Sequence, residues 1–146
     1  MEEIRRKIII VDDNASSLAL VRNLLKEHYE VYPAPSAIKL FTIMGNFIPD
    51  LVLLDIDMPG MSGYEVMQVM RENPRFKDIP IILLTGKNDL ESEIEGFKLG
   101  AADYVTKPFS GELLLRRVSN LLLLEQQKLE IEAYRTTIEE LQAKTS

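Results

Sequence analysis

The chain has 146 residues, of which 46% are hydrophobic and 27% charged, with a formal net charge of -6 and no cysteine. That length suits a single domain, which can bury roughly two-thirds of its unfolded surface without a disulfide or a structural metal. Lack of cysteine excludes a thiol nucleophile, a disulfide framework and a cysteine-ligated zinc or iron–sulfur centre, and it is compatible with the expected cytoplasmic location. The acidic balance speaks against a broad nucleic-acid footprint, so no direct contact with nucleic acid is expected. Residues 1–7 run straight into a short apolar strand rather than a signal-peptide core, and no apolar run approaches the roughly 20 residues of a membrane span.

Taken in order, short apolar runs alternate with amphipathic segments. Lys7 to Val11, Leu51 to Leu54 and Ile79 to Leu84 are continuous runs, as in strands buried on both faces; Tyr29 to Tyr32 and Asp103 to Val105 are shorter candidates. Between them the spacing predicts a helix over Ser16 to Glu27, with Leu18, Val21 and Leu25 on one stripe. A second is expected over Ser36 to Phe47, with Ser36 as N-cap. A third covers Tyr64 to Glu72. The fourth runs from about Asn88 to Leu99, with Leu90, Ile94 and Phe97 expected on its inner face. The fifth continues from Ser110 to about Lys144, interrupted by no proline and by no glycine after Gly111. Along it Leu124, Ile131 and Ile138 recur every seventh residue, with Gln127, Tyr134 and Leu141 between them, which is a short coiled-coil seam.

Strands alternating with helices in this way imply an α/β fold with a doubly wound parallel sheet, because each crossover needs a helix. In such sheets chemistry collects at the carboxyl ends of the strands. Those ends read Asp12-Asp13, then Asp55, then Thr85, then the segment before Lys107. Adjacent acids alone could simply cap the first helix. Three carboxylates converging on one rim, however, repel one another and call for a compensating cation. Oxygen ligands of this kind suit magnesium, which binds through one or two carboxylates and keeps several waters.

The set of Asp12-Asp13, Asp55 within Leu-Leu-Asp-Ile-Asp-Met-Pro-Gly-Met-Ser-Gly, Thr85-Gly86 and Lys107-Pro108-Phe109 resembles the response-regulator receiver family of two-component signalling, over about residues 5 to 125. The resemblance implies a flavodoxin-like (βα)5 fold and a phosphoryl group accepted on Asp55 from a phosphohistidine on a histidine kinase or phosphotransfer protein. It implies that Asp13 ligates Mg2+ directly, that Asp12 does so mainly through water, and that Asp55 and the main-chain carbonyl of Asp57 complete the protein's share. Thr85 would bond the phosphoryl oxygens, Lys107 would pair with them, and Tyr104 would be the aromatic switch that turns inward. A cis bond before Pro108 is also implied, and the readout surface would be the fourth helix, fifth strand and fifth helix. The single histidine, His28, lies at the end of the first helix and is expected at the surface.

Two departures stand out. Asp57 is acidic and Lys87 basic at positions that border the phosphorylated site in the family, so an ion pair tuning the lifetime of phospho-Asp55 is expected. The tail is the other: residues 1–125 are expected to form the receiver and 126–146 a helical extension, similar to linkers that join receivers to cyclic-di-GMP phosphodiesterases of the HD-GYP type, diguanylate cyclases or histidine kinases. A homodimer through this helix, or through the fourth-helix to fifth-helix face, is expected. Three other readings compete. Asp55-Ile-Asp57 superficially matches haloacid-dehalogenase-type phosphatases, but their acidic pair follows the nucleophile, whereas Asp12-Asp13 precedes it. A flavodoxin-like nucleotide binder would need a glycine- and hydroxyl-rich loop after the first strand. A pseudo-receiver would not need the intact acceptor, threonine and lysine.

Overall fold

The computed structural model describes residues 4–86 and 90–145. Strands β1 (Lys7–Val11), β2 (Glu30–Ala34), β3 (Leu51–Asp55), β4 (Ile81–Thr85) and β5 (Asp103–Thr106) alternate with helices α1 (Ala15–Leu25), α2 (Ala37–Met44), α3 (Gly63–Glu72), α4 (Leu90–Lys98) and α5 (Gly111–Thr145). All strand pairs are parallel, in the order β2-β1-β3-β4-β5. The flavodoxin-like (βα)5 expectation therefore holds.

The apolar runs explain the layering. In β1, β3 and β4 alternate side chains point to opposite faces, and both faces are covered. Ile9, Val11, Val52, Leu54, Ile81 and Leu83 pack with α2 and α3. Ile8, Ile10, Leu51, Leu53, Ile82 and Leu84 pack with α1 and α5. The stripe of α1 is as expected, with Leu18, Val21 and Leu25 buried. Ser36 caps α2, its hydroxyl accepting from the Lys39 amide. His28 is exposed in the turn after α1.

One expectation fails. Leu90, Ile94 and Phe97 do not face inward: they are 70%, 44% and 45% exposed. The less exposed side of the helix is instead made of Ser92, Glu93 and Gly96, of which Gly96 is buried, with Leu99 packed on the core just past its end. Gly96 lets α4 come close: a Cβ there would sit 2.6 Å from a methyl of Leu83. The Tyr64 hydroxyl on α3 donates to the Ser92 carbonyl at 2.9 Å and fixes this orientation. A larger apolar stripe is thereby left facing outward. The expected start of this helix at Asn88 lies outside the described residues.

Away from the rim, Arg71 joins three segments. Its guanidinium donates to the carbonyls of Lys77 (2.7 Å), Ile79 (2.9 Å) and Gly100 (2.8 Å). Alanine at this position removes these bonds and the longer one from Nε to the Leu99 carbonyl (3.4 Å), and lysine cannot reproduce the planar fork. Either change should cost about 2 kcal/mol or more of unfolding free energy, read by urea titration. A loss within the scatter of ordinary surface substitutions would refute this.

Candidate functional site

The carboxyl ends of β1, β3, β4 and β5 deliver the polar residues to one rim. Pairing in register sets Val11 beside Leu54, Asp55 beside Leu84 and Thr85 beside Thr106. Asp12, Asp55 and Thr85 are 1%, 4% and 0% exposed, and they are the buried polar or charged residues among those described. Burying charge is costly unless it is paired. Two buried carboxylates and a buried hydroxyl on one edge are therefore the strongest chemical signal among the described residues.

Each is held by local geometry. Asp12 Oδ1 accepts from the Asn14 amide (3.0 Å), while its Oδ2 lies 2.8 Å from Lys107 Nζ. Asn14, not an acid, caps α1, its side chain accepting from the Ser17 amide. The helix cap thus leaves the acids available to the rim. Asp55 Oδ1 accepts from the Asp57 amide at 3.2 Å, and Oδ2 lies 3.6 Å from Lys107 Nζ. Lys107 follows β5, with its amide donating to the Thr85 carbonyl, and the Lys107–Pro108 bond is cis as the resemblance implied.

Charge is unbalanced here. Carboxylate oxygens of Asp12, Asp13 and Asp55 lie within 4.8 Å of one another, with Asp13 exposed and the other two buried. Burial first, and then the Asp12 charge, push the Asp55 carboxyl up to about 6, against the opposing pull of Lys107. For Lys107, burial opposes the ammonium, but the Asp12 hydrogen bond and the Asp55 and Asp12 charges outweigh it and raise its pKa. One lysine therefore does not neutralise the three acids. An all-carboxylate donor set is the kind that hard divalent cations take, so the cluster fits a metal ion.

Of the other residues singled out in the sequence, Tyr104 is half-buried on β5 and packs against the α2–α3 side of the core. Asp57 is exposed just past the end of β3. Its expected partner Lys87 lies outside the described residues.

The sequence reading missed a groove of about 360 Å³ beside the rim, lined by Asp12, Ser17, Leu20, Lys107, Pro108 and Phe109 among others. Leu20 is 56% exposed on the outer face of α1, off its buried stripe. Its position out of the helix period was the available signal, but only the tertiary fold brings it next to Phe109.

Comparison with known proteins agrees with this layout. The response regulator receiver domain model matches residues 8–119. A probable cyclic di-GMP phosphodiesterase of Vibrio cholerae is 45% identical over 121 residues, 83% of this chain but 27% of that protein. The response regulator PleD of Caulobacter vibrioides is 34% identical over 116 residues, 79% of this chain and 26% of its own length. Among solved structures, a CheY-like receiver domain protein of Methanospirillum hungatei superposes with a TM-score of 0.79 at 28% identity, covering 86% of this chain and 99% of its own. The BeF3-activated receiver domain of DrrB, from Thermotoga maritima, does so with a TM-score of 0.74 at 35% identity, covering 82% and 98%. The chain thus spans about a quarter of the length of the curated relatives named here. A match over residues 8–119, most of its length, makes this chain a member of the response regulator receiver domain family.

Proposed function

We propose that Asp55 accepts a phosphoryl group from the phosphohistidine of a histidine kinase or phosphotransfer protein, with Mg2+ held by Asp12, Asp13, Asp55 and the Asp57 carbonyl. The observation that carries this reading is the burial of Asp12, Asp55 and Thr85 at one rim beside Lys107. An Asp55 carboxylate oxygen attacks phosphorus, the P–N bond breaks, and its electron pair stays on the imidazole nitrogen, which takes up a proton. An acyl phosphate remains on Asp55. Both reactants are anionic, so most of the catalysis is charge compensation and positioning. Mg2+, when bound, would supply positive charge to the phosphoryl oxygens. Lys107, already paired with Asp12 and Asp55, would supply more, and the buried Thr85 hydroxyl would donate to the phosphoryl oxygens. The groove beside Asp12 and Lys107 gives a partner apolar surface at Leu20 and Phe109 on which to seat while presenting its histidine.

The signal then passes outward. Drawing Thr85 toward the phosphoryl group opens space behind it for Tyr104, and α4, β5 and α5 carry the change. Residues 1–125 act as the receiver and 126–146 as a helical extension that pairs with a second copy of the chain. A cyclic-di-GMP phosphodiesterase is the output suggested by the Vibrio cholerae relative, and the HD-GYP type is our reading from the tail's likeness to such linkers. The outward stripe of Leu90, Ile94 and Phe97 favours a second dimer contact, the α4–α5 face.

The test is phosphoryl uptake from acetyl phosphate, followed by intact mass. One phosphoryl group per chain is expected, dependent on Mg2+ and absent in Asp55→Asn. Lys107→Ala should slow uptake by about a hundredfold or more, the scale of losing one group that stabilises transition-state charge. Continued turnover of a phosphate ester beyond one equivalent would favour a phosphatase instead. No uptake under any condition would leave a contact module and defeat the proposal.

A further inference from the structure

Only the first third of α5 is packed: Leu114, Val118, Leu121 and Leu122 are buried, and every residue from Gln126 to Thr145 is exposed. Arg6 marks the point of departure, donating to the Leu122 carbonyl at 2.8 Å and to Gln126 Oε1 at 2.6 Å. Beyond it an isolated helix of about 20 residues is marginal in water. The exposed stripe that would stabilise it is Leu124, Ile131, Tyr134, Ile138 and Leu141.

We infer that this stripe is one half of a parallel, in-register, two-stranded coiled coil with a second copy of the chain. The inference rests on the reading of the extension as a dimer contact and adds its polarity. Three features of the heptad decide it. With Leu124, Ile131 and Ile138 at the a positions and Gln127, Tyr134 and Leu141 at d, Glu130 falls at g and Lys128 and Arg135 at e. In a parallel pair, g meets the following e of the other strand, so Glu130 meets Arg135 of the second copy, twice.

Turning one strand around reverses the sign. Keeping the same apolar layers sets Leu124 against Leu141, Ile131 against Tyr134 and Ile138 against Gln127. The flanking e positions then bring Lys128 against Arg135, twice, like charge on like. Gln127 is the second feature: a parallel pair faces it with its own copy, where two amides can bond, whereas the antiparallel pair buries it against Ile138. Third, β-branched Ile131 and Ile138 hold a positions and Leu141 the d position after Ile138, a preference of parallel dimers. The present partners of the charged residues give way easily. Arg135 is 3.7 Å from Glu132 with both side chains about two-thirds exposed, and Glu130 accepts from Gln126 at 3.2 Å.

Parallel polarity sets both receivers at the same end of the rod and brings the two C-terminal ends out side by side. The chain contains no cysteine, so Leu141→Cys introduces a single thiol. With oxidised glutathione as electron acceptor, two such chains should lose two thiol protons and two electrons and join as a covalent dimer. The reverse polarity would leave those thiols at opposite ends. It would instead cross-link a mixture of Leu124→Cys and mass-tagged Leu141→Cys chains as heterodimers. Sedimentation of Arg135→Glu should show dimerisation weakened by about tenfold, the scale of two exposed charge pairs inverted, and restored by adding Glu130→Arg. Tighter dimerisation of Arg135→Glu, or cross-linking only in the mixture, overturns the polarity and leaves the dimer standing. A monomer at high concentration, with and without beryllofluoride, overturns both.

Discussion

Asp55→Asn should make the metal-free protein more stable at pH 7, not less, while removing its ability to take a phosphoryl group. Burial and the neighbouring Asp12 raise the folded-state pKa of Asp55 to about 6, above the ordinary carboxylate value of 3.8. Between those values the folded state holds a proton that the unfolded state has released. Stability therefore falls as pH rises from about 4 to about 6, and the penalty is complete above that window. Lys107 offsets part of the repulsion, and solvent reaches the rim through exposed Asp13, so the penalty is about 1–2 kcal/mol rather than the full shift. Asparagine keeps the shape and carries no charge. Urea titrations in chelator should give curves that coincide near pH 4 and separate by about that amount at pH 7. Mg2+ should then stabilise the parent protein by mass action, and do so much less for the variant. Curves that run parallel across the whole range would show that Asp55 is not strained by its neighbours.

The pattern behind that prediction was open to sequence reading because it is carried by whole strands. Runs such as Lys7–Val11 and Leu51–Asp55 are apolar on both faces, so their burial and direction follow from composition alone, and the residues that end them must meet at the rim. Boundaries were less legible where two rules compete. β2 lies at the sheet edge and runs on through Pro33 to Ala34, two residues past the expected end, because an edge strand tolerates a missing amide. β4 begins at Ile81 rather than Ile79, leaving Pro80 as a carbonyl acceptor for the Val52 amide. α2 stops at Met44, with Gly45 as its C-cap, instead of reaching Phe47.

The error on α4 is more instructive. A period of Leu90, Ile94 and Phe97 says that a helix has an apolar face, but not that the face is covered by its own chain. The helix sits on Gly96 and Ser92 because small residues allow the closest approach to β4 and the Tyr64 hydroxyl needs a carbonyl. The same ambiguity applies to α5, whose exposed stripe has the period of a core. For both helices the apolar surface left over is the part of the molecule that most needs a partner.

Gly63→Ala, by contrast, should damage both stability and function. The first residue of α3 lies against the backbone of the acceptor strand: a Cβ there would be 2.7 Å from the Asp55 carbonyl oxygen, 2.7 Å from the Ile56 Cα and 3.2 Å from the Asp55 carbonyl carbon. All three are main-chain atoms, so no rotamer change relieves the contact. The Gly63 amide also donates to the Ile56 carbonyl at 2.9 Å, pinning α3 to the same two residues. A methyl group must therefore push the helix away or move the segment that carries Asp55 and Asp57. Forced overpacking of this kind costs about 3 kcal/mol. Misplacing a nucleophile by an ångström lowers rates by about a hundredfold, so phosphoryl uptake should fall on that scale even at temperatures where the variant remains folded. Urea titration gives the first quantity, and uptake from acetyl phosphate at saturating Mg2+, scaled to the folded fraction, gives the second. A variant that keeps the parent stability and rate would mean that α3 can retreat without carrying the acceptor, and that Gly63 does not position Asp55.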